Sequence, residues 1–232
     1  MGSADTCLVT GYVRLDSDHR DHDRYCDLGQ RLLSIGGPVV AYLDPSAEIR
    51  SRSGLLRLHA SIDRCWYWLA SEGSLVPAGN PAKDTRAFLS AQHQKTQWLS
   101  DAVQWTDAGM LVWIDFGILH VAGITESMIS EFLARAATDH RNVVSMPTIW
   151  GPPVDPVSPC RVAWHCAGGI VVVPRELAGW LHVQVRYEAN RMLTLGMATW
   201  EVNTWSEVWR RNPGMFRSWQ CDHDASLIEA GP

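Results

Sequence analysis

Leu111-Val-Trp-Ile-Asp-Phe-Gly-Ile-Leu-His120 is the stretch that decides how this chain is read. Leu111 to Ile114 is an apolar run too short for a helix, and it reads as a buried strand. Asp115 ends the run, and Gly117 permits a sharp turn just beyond it. Open α/β sheets present their ligand sites at the carboxyl ends of such strands. A carboxylate there is also a hard oxygen ligand of the kind Mg or Mn prefers. The same aspartate would equally serve to cap the turn through its own backbone amides. On this stretch alone both readings stand.

Working outward toward the N-terminus, the spacing predicts a strand, a helix and a second strand. Cys7 to Val13 is a buried strand, and Tyr25, Leu28, Leu32 and Leu33 follow at helical intervals until Gly36-Gly37-Pro38 stops them. Val39 to Leu43 is the second strand, ending at Asp44-Pro45, where Asp44 takes the same strand-end position as Asp115. The order suggests a parallel βαβ unit. Between the first strand and the helix lies a dense polar run, Arg14 to Arg24. Its pairs Asp18-His19 and Asp21-His22 invite a metal reading, but a solvated charged loop is the commoner explanation. Leu58, Ile62, Trp66 and Leu69 predict a helix over Leu55 to Leu69, and Gly73 to Lys83 is a loop.

The segment from Thr85 to Gln104 is a helix with Phe88, Leu89, Ala91, Trp98, Leu99, Ala102 and Val103 on one face. Lys95 falls near the middle of that face. It must either snorkel past its neighbours or serve an anion. Beyond the anchor strand, Thr125 is set to cap a helix over Glu126 to Ala137. Val143 to Met146 is a short strand. Gly151 to Pro159 carries too many prolines for a regular element and reads as a long surface loop, a possible lid. Val162 to Val173 holds a turn and another buried strand, with Gly168-Gly169 allowing backbone to approach a ligand or a neighbouring strand. Pro174 suits the first position of the next helix. The final predicted helix, Trp200 to about Arg211, has Val202, Trp205, Val208 and Trp209 as its stripe, and Asn203, Glu207, Arg210 and Arg211 opposite. Glu201 lies at the edge of the apolar face. A carboxylate against tryptophans loses hydration, which suits a general base; the plainer alternative is that it complements the helix dipole. Asp222, His223 and Asp224 form a ligand-rich run; a solvated tail is the plain alternative, but apolar Leu227-Ile228 beyond it argues for docking.

Composition narrows the function classes. A chain of 232 residues, 46% apolar and 19% charged, is enough for one large globular domain. The net charge of −5 lacks the basic surplus of a bulk nucleic-acid binder. The six cysteines form no CxxC pair, and free thiols are expected. Most of the twelve tryptophans are expected in the core. No apolar run approaches the roughly 18 residues of a membrane span. The N-terminus lacks the basic and apolar parts of a signal peptide. A cytoplasmic location is therefore expected.

Taken in order, several pieces match one pattern. Leu8-Val-Thr-Gly11, Val40-Ala-Tyr-Leu-Asp44, Lys95, Trp113-Ile-Asp-Phe-Gly-Ile118, Gly168-Gly169, Trp200-Glu201 and Asp222-His223 occur in an order that resembles the HtrL/YibB-like glycosyltransferases. More broadly, it resembles nucleotide-sugar transferases of the GT-A fold. The resemblance implies a single α/β domain, residues 1–232, with a mostly parallel central sheet flanked by helices. It places the donor nucleotide, UDP favoured, near Thr10, Gly11 and Asp44, with Lys95 by the diphosphate. Gly168 and Gly169 would shape the acceptor side, and Glu201 would take the place of the catalytic carboxylate of inverting members. Asp115 would stand for the metal-binding aspartate of the DxD motif. The third position of that motif is Gly117 rather than a second aspartate, and His223 is the candidate to supply the missing ligand to Mn or Mg. The acceptor would be a glycan or another hydroxyl, with a nucleic-acid acceptor disfavoured by charge. Two alternatives follow from the same residues. One is a catalytically inactive module that binds a nucleotide or glycan. The other is a nucleotidyltransferase, disfavoured because no Gly-rich phosphate loop lies near Thr10–Arg14.

Overall fold

From Cys7 to Thr10 every residue is buried, as a strand covered on both faces requires. The computed structural model describes residues 5–15, 21–77, 80, 83–139 and 142–232. Their strands are β1 (Thr6–Tyr12), β2 (Val39–Leu43), β3 (Leu55–His59), β4 (Met110–Ile114), β5 (Val144–Thr148), β6 (Ile170–Pro174) and β7 (Phe216–Gln220). They form one sheet in the order β3-β2-β1-β4-β6-β5-β7. All run one way except β6, which is antiparallel to both its neighbours. The result is an α/β structure with a mixed, mostly parallel sheet flanked by helices. No helix among the described residues is long and apolar enough to cross a membrane.

Strand alternation divides the core in two. Val9, Leu111 and Trp113 face helices α3 (Arg86–Ala102), α5 (Arg175–Thr194) and α6 (Glu201–Arg211). Leu8, Val112 and Ile114 face α1 (His22–Leu33), α4 (Glu126–Ala137) and the short α7 (Ser226–Glu229). Short α2 (Trp66–Ala70) packs against α3. Two helix caps are in place, the one at Thr125 as predicted. Thr85 accepts from the Phe88 amide at 3.1 Å, and Thr125 from the Met128 amide at 3.3 Å.

Several expectations need correction. Leu55 to Leu69 is not one helix. Its first five residues are β3, paired in parallel with β2, and they follow Gly54 at φ +80, the turn that separates them from the preceding loop. Pro174 ends β6 and stands just before α5 rather than inside it. The C-terminal run is docked, as apolar Leu227-Ile228 predicts. Trp219 belongs to β7, its indole donates to the Leu227 carbonyl at 3.1 Å, and Leu227 and Ile228 are buried. All six cysteines are free. Trp98, Trp113, Trp200, Trp205, Trp209 and Trp219 are buried, whereas Trp105 and Trp150 are exposed.

Candidate active site

The chain lays β1, β2 and β3 to one side, then returns to place β4 on the other side of β1. Such a reversal opens a crevice at the carboxyl ends of the two strands. Asp115 follows β4 there. Because β6 is antiparallel, its leading residues come to the same edge. The Asp115 amide donates to the Gly169 carbonyl at 2.9 Å. The turn after β4 is held by close packing rather than by unusual backbone, since Gly117 has φ −97. A Cβ on Gly117 would lie 2.7 Å from the Tyr25 ring, and one on Gly29 would lie 1.9 Å from the Phe116 ring. Both glycines therefore let α1 press against this turn.

Lys95 is the centre of the site. It reaches from α3 through the core with only 3% of its side chain exposed. Its ammonium lies 3.0 Å from Asp115 Oδ1, 3.1 Å from Glu201 Oε1 and 2.9 Å from the Gly168 carbonyl oxygen. It also stands 5.9 Å from the centre of the Trp205 ring. Burial on its own would lower the ammonium's pKa, but the charges of Asp115 and Glu201 and their hydrogen bonds outweigh it and raise the value. The lysine does not snorkel to solvent: two carboxylates of the chain itself surround it.

Glu201 opens α6 and is 3% exposed. Its Oε1 is taken by Lys95, while its buried Oε2 has no hydrogen-bond partner among the described residues. Gly168 makes this placement possible, because a Cβ there would sit 2.6 Å from Glu201 Oε1 and 2.8 Å from Val202. Gly169 has the looser fit, its Cβ position 3.3 Å from Ile118 and 3.8 Å from Asp115 Oδ2. Asp115, Lys95, Gly168, Gly169, Glu201 and His223 all line one cleft of about 200 Å³. An adjoining chamber of about 70 Å³ shares Tyr25, Phe88, Gln92, Lys95 and Asp115 with it and adds Gly11, Tyr12, Trp98 and Phe116.

The remaining predicted donor-side residues have local partners. Thr10 is fully buried and its hydroxyl donates to the Ile114 carbonyl at 2.6 Å, tying β1 to β4. Gly11 lines the smaller chamber, but its missing side chain makes room for Trp98, whose ring a Cβ would meet at 2.3 Å. Asp44 accepts from the Ser46 amide at 3.0 Å, the Ser46 hydroxyl at 2.7 Å and the Arg14 amide at 3.3 Å. Burial opposes its charge, but those hydrogen bonds hold its carboxyl below the ordinary aspartate value. Asp18 and His19 lie outside the described residues. Asp21 caps α1 by accepting from the Arg24 amide at 3.0 Å, and His22 bonds the Tyr12 hydroxyl at 2.8 Å.

The metal set implied by the resemblance does not fit this arrangement well. Asp115 Oδ1 accepts the Trp113 indole N–H at 2.7 Å and faces the Lys95 ammonium, which also lies 3.3 Å from Oδ2. A divalent ion on this carboxylate would stand beside a fixed positive charge. His223 is exposed on the far wall of the cleft, edge-on to the Trp164 ring with centroids 4.6 Å apart. No three His, Cys, Asp or Glu side chains gather as a metal set among the described residues.

Sequence reasoning missed the walls of the cleft. Tyr25, Gln92, Trp164 and Lys83 line it, and none carried a signal beyond a helix face or a loop. It also misjudged α6. Asn203 and Glu207 were expected opposite the apolar stripe, yet they are fully buried, facing residues 157–163 and α5. The proline-rich segment is therefore anchored rather than a free lid. Asn203 accepts from the Ala163 amide at 2.8 Å and donates to the Arg161 carbonyl at 2.9 Å, while Glu207 accepts from the Val157 amide at 2.7 Å.

Compared with known proteins, the chain matches no family model, and no curated protein sequence matches it.

Proposed function

We propose that the cleft transfers a glycosyl group from a nucleoside diphosphate sugar to an acceptor hydroxyl, with Glu201 as the base. The single observation that carries this reading is the Glu201 carboxylate. It lines the cleft at the point where the sheet reverses, and one of its oxygens is buried with no hydrogen-bond partner among the described residues. A buried acceptor atom left unpaired in a cleft suits a hydroxyl brought by a ligand. In the proposed step Glu201 Oε2 takes the hydroxyl proton while the oxygen forms its bond to the anomeric carbon. The bond from that carbon to the diphosphate oxygen breaks, and the leaving group keeps the electron pair. The order of motifs from Leu8 to His223, which resembles GT-A nucleotide-sugar transferases, supports the choice of donor. The aromatic walls supplied by Tyr12, Tyr25 and Phe116 would suit a base or a sugar face. No step is assigned to a metal ion.

A second reading, a non-catalytic nucleotide- or glycan-binding module, is favoured by one feature: all of the Lys95 ammonium contacts go to the chain itself. The test is a panel of nucleotide sugars followed by thermal shift and by nucleoside diphosphate release, with and without Mn or Mg. Wild type, Glu201→Gln, Asp115→Ala and His223→Ala are run side by side. A donor that stabilises both wild type and Glu201→Gln but is turned over about 10²–10⁴-fold more slowly by the variant supports the base. Unchanged turnover in Glu201→Gln removes it. Donor binding without turnover supports the binding module, and release of pyrophosphate points to nucleotidyl transfer instead. Stabilisation that needs Mn and fails in both Asp115→Ala and His223→Ala would restore the metal site.

A further inference from the structure

We propose that Lys95 is a positioning residue: it grips Glu201 by Oε1, sets a positive charge beside that carboxylate and leaves Oε2 as the oxygen offered to the acceptor. The proposal rests on the glycosyl-transfer reading of the same cleft, but it assigns Lys95 a different duty from gripping the donor's diphosphate. An ammonium has three protons. Here they are matched by Asp115, Glu201 and the Gly168 carbonyl at 2.9–3.1 Å. With 3% of the side chain exposed, the ammonium is engaged by the chain's own acceptors. Its positive charge is instead set between two carboxylates, which without it would repel one another in a water-poor site.

The geometry fixes which oxygen works. Glu201 Oε1 sits between the Lys95 ammonium at 3.1 Å and the backbone of Gly168, so close that a Cβ there would be 2.6 Å away. The carboxylate has no room to exchange its two oxygens freely. Trp113 and Asp115 complete the mount, the indole N–H holding Asp115 Oδ1 at 2.7 Å. Two titratable groups beside Lys95 and Glu201 are held in one state near neutrality. His93, on the same helix, is fully buried between the Leu89 carbonyl and the Thr204 hydroxyl, and burial pushes its pKa down to about 3. Cys166, in the segment before β6, is pushed up to about 12 by burial. His120, His223 and Lys83 line the wider cleft. The two neighbouring groups that face the pair most closely are thus fixed in one state.

The test uses the full chain with carbon-13 in the glutamate carboxyls. The Glu201 signal is assigned by its loss in Glu201→Gln and titrated in wild type and Lys95→Met. The expected result is a midpoint at least about one pH unit higher in Lys95→Met, because a carboxylate that loses its cation and keeps a like charge beside it binds a proton more readily. With a donor in hand, the acid limb of the kcat profile moves up by the same amount, and KM for the donor changes little. A midpoint and acid limb that stay where they are overturn the proposal, as does a variant that loses donor affinity while keeping kcat. Absence of turnover by wild type with every nucleotide sugar would instead count against the glycosyl-transfer reading, and the carboxyl titration would still decide the role of Lys95. If Lys95→Met does not fold, the double variant with Glu201→Gln is measured. Recovery of folding supports the charge pairing, and failure to recover overturns it.

Discussion

Helix α6 carries one buried glutamate at its first residue and another near its C-terminal end, and the two are treated in opposite ways. Glu207, near the C-terminal end, is saturated. Its Oε1 accepts from the Val157 amide at 2.7 Å and from Arg210 at 3.1 Å, and its Oε2 from Arg210 at 3.0 Å and Arg191 at 3.4 Å. Its neighbour Glu188 takes Arg191 at 2.7 Å and Arg211 at 2.9 Å. Two carboxylates there share three guanidinium groups. At the N-terminal end, Glu201 and Asp115 share one ammonium, and one oxygen has no hydrogen-bond partner among the described residues. A buried carboxylate costs several kcal/mol unless it is paired and fully hydrogen-bonded. The chain meets that requirement at one end of the helix and stops short of it at the other. The shortfall lies in a cleft at the sheet's reversal point, where a ligand can supply what is missing. That contrast separates scaffold from site more sharply than burial, which is nearly the same for both residues.

The comparison breaks most visibly with isosteric amides. Glu201→Gln is expected to lose about 10²–10⁴-fold in turnover, the range for a positioned general base, and to unfold in urea close to wild type. Glu207→Gln is expected to do the reverse. Removing one charge from a buried, multiply bonded network costs about 3 kcal/mol, lessened where the arginines can reach water, and leaves turnover of the folded fraction near wild type. If both variants lose stability and neither loses turnover, the two ends of the helix are equivalent and the site is elsewhere.

Acid sharpens the same contrast. Burial opposes the Glu207 charge, but hydrogen bonds from Arg210 and the Val157 amide, with the charges of Arg210 and Arg191, outweigh it and lower its pKa. A carboxyl lowered in the folded state contributes stability that is fully present above its unfolded value, about 4.3. That contribution is lost as pH falls through the folded value. The stability gap between wild type and Glu207→Gln, measured by urea unfolding, should therefore be widest near neutrality and narrow below about pH 4. A gap that widens on acidification would mean that the network does not favour the charged form.

How much of this could be read from the chain depends on what periodicity measures. β1, α1, β2, α4 and the strand before Asp115 were legible because apolar spacing and caps such as Thr125 act locally. Lys95 and Glu201 stood out as charges on apolar faces, and each proved to be the other's partner. Nothing in the spacing between residues 95 and 201 says so, since that pairing is made by the fold of the sheet. β3 was hidden because Leu58, Ile62, Trp66 and Leu69 mimic a helix across what is really a strand, a tight turn and a short helix. β7 is a short edge strand that pairs with β5, and its sequence carries little alternation. The polar side of α6 was misjudged for a more general reason. A helical wheel shows which residues share a face, and it cannot distinguish water from a polar interior built by Val157, Ala163 and three arginines.

Smaller changes test how finely each end is set. Gly168→Ala places a Cβ against Glu201 Oε1 and Val202, both buried, so something must shift. Overpacking of this kind costs about 1–3 kcal/mol. Because the displaced group is the proposed base, turnover should fall along with stability. A variant that keeps full turnover would show that Glu201 has more freedom than the contacts suggest.

The smallest expected effect is at Thr199, just before α6. Its hydroxyl donates to the Pro159 carbonyl at 2.9 Å and accepts from Asn203 at 2.8 Å, so it helps to fasten the proline-rich segment to the helix. Thr199→Val keeps the shape and removes both bonds. A neutral hydrogen bond is worth about 1 kcal/mol net, and the Asn203 amide keeps its other partners, the Ser158 and Arg161 carbonyls. The stability loss should be near that figure. Amide hydrogen exchange should rise at Val157 and Ala163, with turnover unchanged. If exchange rises equally at Asp115 and Gly169, the segment and the cleft are coupled, and α6 does not keep its two ends as independent as their partners imply. If exchange does not rise even at Val157, the saturated grip of Glu207 is sufficient by itself to hold the segment, and the Thr199 and Asn203 bonds are redundant with it.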